Sequence, residues 1–527
     1  MLGSKAIVTG DPYVTHCRRY LAEAQRDPLF SAPHLKDFLE YLSEPSSQWP
    51  VDDKPFTWPY PRPMINDLRR SSDTRSNSFD IPEKVTRDHE SLGLLFLSGY
   101  PSSRWLKDVG EKYKVDMHFF QQHLGSIRPS VHVDVFAEPS LPSSSGHTLK
   151  LKIPTIGYLG DTGDSFRDMS RTRALLVEDL RKQILDNAQR HPVGQPIVRD
   201  VYLHNQEHFT LLQEVSMCLL RDNNMWTVLI WTDAGYEDKD PDLSFLFKRA
   251  PNMLHIAPKL CPTVFNRPIR FGESVYSSVA SSDVRFNATQ VFNSLHKAYG
   301  KTLDPHLTSQ DPFYAVSEVY SFAAAAENQF LNMMRDILDN RIESIVRESL
   351  QSKNSTHDAL PERANIQYDR TILDAHSDRI SNVVAFLKAA DDPVWFPNVD
   401  HHDRREASRA RTSLVHDFQH LHAQIIQLIQ RCERAMEMVA HNASLLEAKR
   451  SNLQSEGLEK LTRLTTIVTL LYVPLSFVCT FFGMNFSTFG QGKLSLWIWA
   501  AVSAPVMLIS LVFLRRMLKN DSKKTRP

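Results

Sequence analysis

Two apolar runs near the C-terminal end dominate the pattern of hydrophobic and polar positions. Leu461 to Asn485 (LTRLTTIVTLLYVPLSFVCTFFGMN) contains one charged residue, Arg463, and Leu494 to Leu514 (LSLWIWAAVSAPVMLISLVFL) contains none. A helix needs about 20 apolar residues to cross a bilayer, so each run predicts a span. The short connector 486–493 makes the pair a helical hairpin. Within the first run the hydroxyls Thr462, Thr466, Thr469, Ser476 and Thr480 fall on one line with Val473. Steps of three and four place residues on one face of a helix. Insertion requires no polar stripe, so this one predicts a face turned away from lipid, toward other helices or water. Pro474 cannot donate to the carbonyl of Leu470, which predicts a kink that packed membrane helices tolerate.

Upstream of the hairpin, Leu414, Phe418, Leu421, Ile425, Leu428, Cys432, Ala435 and Val439 keep alternating steps of four and three. They predict a long stalk helix over 401–460 with a coiled-coil-like seam, whose phase breaks at Asn442 and Lys449. Helical from His402 through Phe482, the element would be about 120 Å long. Gly457, just before the membrane, is a flex point. Residues 301–400 read as helical, in two pieces from Asp311 to Ser352 and from about Ile366 to Leu387. Residues 86–300 mix strands and helices. LGLLFLSGY and LKLKIPTIGYLG read as strands, RWLKDVGEKYKVDMHFFQQHL as helical, and FTLLQEVSMCLL with MWTVLIWTD as a hairpin turning at Arg221 to Asn224. Residues 1–85 are rich in Ser, Pro and charge and read as mostly irregular, with a short helix around Leu35 to Leu42. The expected architecture is an α+β cytosolic domain, a mixed sheet flanked by helices, followed by the stalk, spans at 461–485 and 494–514, and a basic tail at 515–527.

Composition narrows the function. Lys+Arg and Asp+Glu balance at 61 each, so no bulk charge argues for a nucleic-acid partner. The five cysteines contain no CxxC pair, which supports neither a disulfide framework nor a zinc knuckle. No P-loop, GxSxG or HExxH is present, and no constellation supports catalysis, so the chain is read as not an enzyme. His416 and His420 in HDFQH have a spacing that can hold zinc, but a solvated stalk face is the better reading. The same holds for Glu447, Glu456 and Glu459. Lys460 and Arg463 precede the hairpin, and Arg515, Arg516, Lys519, Lys523, Lys524 and Arg526 follow it, whereas the loop holds only Lys493. The positive-inside rule then places both termini in the cytosol.

The string VPLSFVCTFFGMNF, Val473 to Phe486, resembles the signature of CorA-type magnesium transporters, whose first C-terminal span closes in Gly-Met-Asn. The motif, the hairpin, its chain position and the short loop all agree. The resemblance implies a homopentamer in which Gly483, Met484 and Asn485 form the selectivity filter. It implies Mg²⁺ as the transported ion and as a regulatory ligand between subunits, with no other cofactor. The chemistry is coherent. Mg²⁺ dehydrates reluctantly, and a ring of neutral Asn485 amides can bind its hydration shell in outer-sphere fashion. Gly483 lets the backbone leave helical geometry and aim that amide. Thr480, Ser476, Thr469, Thr466 and Thr462 would line the pore, with Val473 as an apolar constriction. The loop has no Asp or Glu, which predicts weaker cation capture than in acidic-loop members. Two alternatives remain: transport of another dication such as Zn²⁺, Co²⁺ or Ni²⁺, or a non-conducting membrane-anchored scaffold. The expected location is an integral, multi-pass position in the plasma membrane, with the mitochondrial inner membrane or a vacuole as alternatives.

Overall fold

The computed structural model describes residues 11–24, 33–43, 62–63, 93–101, 103–124, 146–160, 169–190, 196–222, 225–234, 258–266, 287–290, 299–300, 303–351, 359–389, 394–395, 403–483 and 496–524. The chain divides into two units, Met1–Gln351 with Leu360–Met436, and Ser352–Ala359 with Glu437–Pro527. The division after Met436 falls close to the loss of the heptad phase at Asn442.

The first unit is built on a seven-stranded mixed sheet of order β1-β2-β6-β5-β3-β7, with β4 also paired to β5. The strands are β1 (Arg62–Pro63), β2 (Gly93–Ser98), β3 (Thr148–Tyr158), β4 (Asp200–Leu203), β5 (His208–Asp222), β6 (Met225–Thr232) and β7 (Lys259–Leu260). β2 runs parallel to β6, and its continuous apolar run suits a strand covered on both faces. β3 begins by alternating exposed Lys150 and Lys152 with buried Leu151 and Ile153. The β5–β6 ladder closes at Asp222↔Met225, so the connection is two residues rather than the four read from sequence. A separate two-stranded sheet pairs β8 (Thr263–Asn266) with β9 (Asn287–Gln290).

Four helices share one apolar core with this sheet. They are α1 (Pro12–Ala24), α2 (Pro33–Ser43), α3 (Ser103–Tyr113) and α4 (Met117–Leu124). The core holds Cys17, Phe38, Leu42, Leu106, Phe120 and Trp231. The helix α1 lies in a stretch expected to be irregular. Its apolar residues Tyr13, Cys17 and Leu21 repeat every four, and a Cβ at Gly110 would collide with the Tyr13 ring, so α1 docks only because that position is glycine. The Tyr13 hydroxyl donates to the Val115 carbonyl at 3.0 Å. The helical stretch read as one piece is two, α3 and α4. Lys114 takes a positive φ of 52°, and the Asp116 carboxylate accepts from the His118 N–H at 2.9 Å to start α4. A further helix, α5 (Met169–Arg190), packs Leu176 and Leu180 against Val201, Leu203 and Phe209.

Helices α6 (Pro305–Gln310), α7 (Pro312–Gln351), α8 (Ala359–Lys388) and α9 (Asp403–Gly483) complete the described part of this unit, the last only as far as Met436. Asp304 caps α6 by accepting from the N–H groups of His306 and Leu307. The helix α8 starts earlier than its apolar pattern, because Pro361 in a first turn costs no hydrogen bond. Tyr320 of α7 stacks on Phe386 of α8 at 6.2 Å and meets Phe418 of α9 edge-on at 6.4 Å. Every heptad residue from Leu414 to Val439 is buried. Polar contacts add register. Arg370 of α8 pairs with Glu433 of α9 at 2.8 Å, Arg431 pairs with Asp339 of α7, and Arg335 donates to Gln424 at 2.8 Å.

Two polar clusters lie inside the unit. In one, Arg199 grips Asp233 through two 2.7 Å hydrogen bonds, and His123 stacks on Trp231 at 4.0 Å. In the other, Arg173 of α5 donates to the Leu203 carbonyl and to Asn365 of α8, each at 2.8 Å, and lies 3.8 Å over the Tyr368 ring. Arg341 of α7 donates to the His204 carbonyl and sits 3.4 Å from Asp369 of α8. Next to these, His376 of α8 pairs with Glu327 of α7 at 2.5 Å and stacks on Phe330.

Candidate pore-forming hairpin

The second unit contains the rest of α9 and the final helix, α10 (Leu496–Lys524). Among the described residues, α9 and α10 each contain a stretch long and apolar enough to cross a membrane. The helix α9 is continuous through Pro474 and ends at Gly483. The helix α10 continues ten residues past the apolar run, so the tail from Arg515 to Lys524 is helical rather than an unstructured appendage.

The two helices meet at Val478, which is buried and packs against Ile498, Trp499 and Val506. Ser503 and Ser510, seven residues apart on α10, are also buried. Small residues at such positions let membrane helices approach closely. Neither serine was singled out from the sequence, although their heptad spacing inside an uncharged run is a readable signal.

The hydroxyl stripe stands off the Val478 contact. At about 100° per residue, Ser476 and Thr480 project some 160° away from Val478. Thr469, Val473 and Thr480 are exposed, and Thr466 and Ser476 are partly so. Farther along, Thr462, Thr466, Thr469 and Val473 line an open groove of about 730 Å³ whose other wall is Ile509, Ser510 and Phe513 of α10. The stripe therefore divides. Its C-terminal part faces away from the partner helix, and its N-terminal part borders a groove beside it. Thr466 donates its hydroxyl proton to the Thr462 carbonyl, and Thr480 to that of Ser476, each at 2.7 Å. With those protons committed to the helix, the hydroxyl oxygens have only acceptor capacity left. Water bound to a cation points its hydrogens outward, so acceptors are the groups such a shell requires.

Gly483 is the last residue of α9. Met484, Asn485 and the loop 486–493 lie outside the described residues. Among the described residues no group of three His, Cys, Asp or Glu is placed to hold a metal ion. His416 and His420 are exposed on α9, and His420 contacts Gln424. Glu447, Glu456 and Glu459 are exposed on the same helix.

The helix α9, 81 residues long, thus carries a buried heptad seam and then a hydroxyl-striped span, and in sequence Gly-Met-Asn and a second apolar run follow. Residues 324–516 match the family model of CorA-like Mg2+ transporter protein. The chain thus carries a CorA-like domain, and its layout, a mixed sheet followed by a long helix and a C-terminal apolar helix, is CorA-like. The match begins within α7 and ends at Arg516 in α10, so it includes both spans and the tripeptide between them. The sheet and α1 to α6 lie before it. No curated protein matches the chain. The CorA-like domain and the two apolar helices make this a membrane protein.

Proposed function

We propose that the protein is a channel for divalent cations, Mg²⁺ foremost, that assembles as an oligomer with the hydroxyl stripe of α9 facing a shared pore. The observation carrying this reading is the stripe's position. Ser476 and Thr480 project away from the hairpin's own contact at Val478, and the Thr480 hydroxyl, its proton given to the Ser476 carbonyl, offers an acceptor outward. One helix cannot enclose a pore, so several copies are required, and the family resemblance suggests five. Asn485, one residue beyond Met484 and Gly483, would supply the amide ring that binds the hydrated ion. Mg²⁺ is cargo in this scheme, and a regulatory Mg²⁺ between cytosolic units follows from the same resemblance. Both termini are assigned to the cytosol by the excess of Lys and Arg there.

The loop gives a second reading its support. It carries Lys493 and no acidic residue, so long-range attraction for a dication is absent at the mouth. A related branch of the family that this chain resembles moves zinc and also has a non-acidic loop, so transport of another dication such as Zn²⁺, Co²⁺ or Ni²⁺ is the alternative. The deciding experiment is uptake into liposomes holding the purified protein, each dication offered separately. Mg²⁺ uptake supports the first reading, and uptake of another dication alone supports the second. An intact oligomer that passes none overturns both and leaves a membrane-anchored scaffold.

A further inference from the structure

The outward face of α10 remains after the pore and the hairpin contact are accounted for. Leu508, Ile509, Val512 and Phe513 are each at least 51% exposed; Leu508 and Val512 lie on the side opposite buried Ser510, and Ile509 and Phe513 stand between that side and the groove beside α9. With Arg516 they line a groove of about 280 Å³. Leu508, Val512 and Arg516 follow one another at steps of four, so the guanidinium stands at the end of an apolar strip. The helix continues to Lys524. In sequence, Lys519 and Lys523 follow Arg516 by three and seven positions, and Asp521 is the only acidic residue of α10. Apolar length followed by cationic charge on one face matches an acyl chain below a phosphate.

We propose that this face of α10 binds an anionic phospholipid, its acyl chain along Leu508, Ile509, Val512 and Phe513 and its phosphate on Arg516. The inference rests on α10 crossing a membrane and is independent of which cation the protein carries. Charge complementarity selects the occupant. A second copy docking the same face would bring an identical basic strip against this one. A zwitterionic lipid would place its own cation near Arg516. An anionic lipid does neither, and the arginine fork matches phosphate oxygens.

The test uses the full-length chain with Phe513→Trp, reconstituted in vesicles containing acyl-brominated phosphatidylglycerol or acyl-brominated phosphatidylcholine at equal mole fraction. Quenching is read as the difference from the parent, because the native tryptophans contribute a background. The expected result is stronger quenching by the phosphatidylglycerol. Adding Arg516→Gln should reduce that preference about fivefold, the worth of one juxtamembrane cation. Arg515→Gln, turned about 100° away, should reduce it much less. Equal quenching by both lipids, no quenching by either, or equal losses from the two arginine substitutions would overturn the site. If Phe513→Trp does not reconstitute, native mass spectrometry of the parent with both lipids reads the same preference, and equal binding overturns it. Cation uptake measured on the same vesicles keeps failure of the channel reading separate from failure of this one.

Discussion

Asp369 should give the N-terminal unit an unusual dependence on pH. It is 1% exposed on α8, and among the described residues neither carboxylate oxygen has a hydrogen-bond partner. Arg341 Nε is 3.4 Å away and His204 Nδ1 4.0 Å away. Burial pushes the Asp369 carboxyl up to about 6, against the pull of Arg341 and Arg173. Burial together with the two arginines holds His204 well below the ordinary histidine range. An unfolded aspartate titrates near 3.9, so the folded state binds this proton more tightly than the unfolded state. The resulting stabilisation is fully present below about pH 4 and is lost as pH rises through about 6. A shift of about two units corresponds to about 3 kcal/mol. Asp369→Asn keeps the shape and removes the titration. Urea unfolding of both full-length proteins in detergent, followed by the fluorescence of buried Trp231 and Trp395, measures the difference. The parent should lose about 3 kcal/mol relative to the variant between pH 4 and pH 7. A constant difference, or a parent that gains over this range, would mean that Asp369 does not bind its proton more tightly in the folded state.

Three other outcomes are expected. Cysteine placed at Thr480, Ser476 or Thr469, in a background lacking Cys479, should react with a charged thiol reagent, and cysteine at Leu470, Leu475 or Phe481 should not; uniform labelling would make the stripe a packing seam rather than a pore wall. Protease added to sealed, right-side-out vesicles should leave the N-terminal unit intact, and its digestion would reverse the assigned topology. Lys493→Glu should raise flux at low dication concentration, most strongly at low ionic strength, because attraction between exposed charges fades over a Debye length of about 10 Å; an unchanged apparent affinity would place the loop away from the mouth.

The hairpin and the stalk were legible because their patterns are long and unbroken. Leu414 to Val439 repeat for enough turns that no other period fits, and each is buried. The helix α1 escaped because its signal is only Tyr13, Cys17 and Leu21 in a segment surrounded by Ser, Pro and charge, and its partner Gly110 is distant in sequence. The helix α5 escaped although Leu176, Leu180 and Ile184 repeat every four, since the charges of SRTRALLVEDLRKQ dilute its apolar face. The cluster of Arg173, His204, Arg341 and Asp369 could not be read, because α5, the β4–β5 turn, α7 and α8 bring it together only in three dimensions. In the hairpin the hydroxyl stripe was plain from spacing. That its N-terminal half borders a groove with Ile509 and Phe513 depends on how α10 crosses α9, which no single-helix pattern encodes.

In the proposed channel a ring of Asn485 amides passes the hydrated cation. An amide can donate to and accept from water of hydration, and alanine can do neither. Each lost charge-assisted contact is worth roughly 1.5–3 kcal/mol, and an oligomer loses several at once. The most direct measurement is Mg²⁺ uptake into liposomes by Asn485→Ala, alongside its oligomer size and melting temperature. Uptake should stop while size and melting are nearly unchanged. Uptake at the parental rate would contradict it.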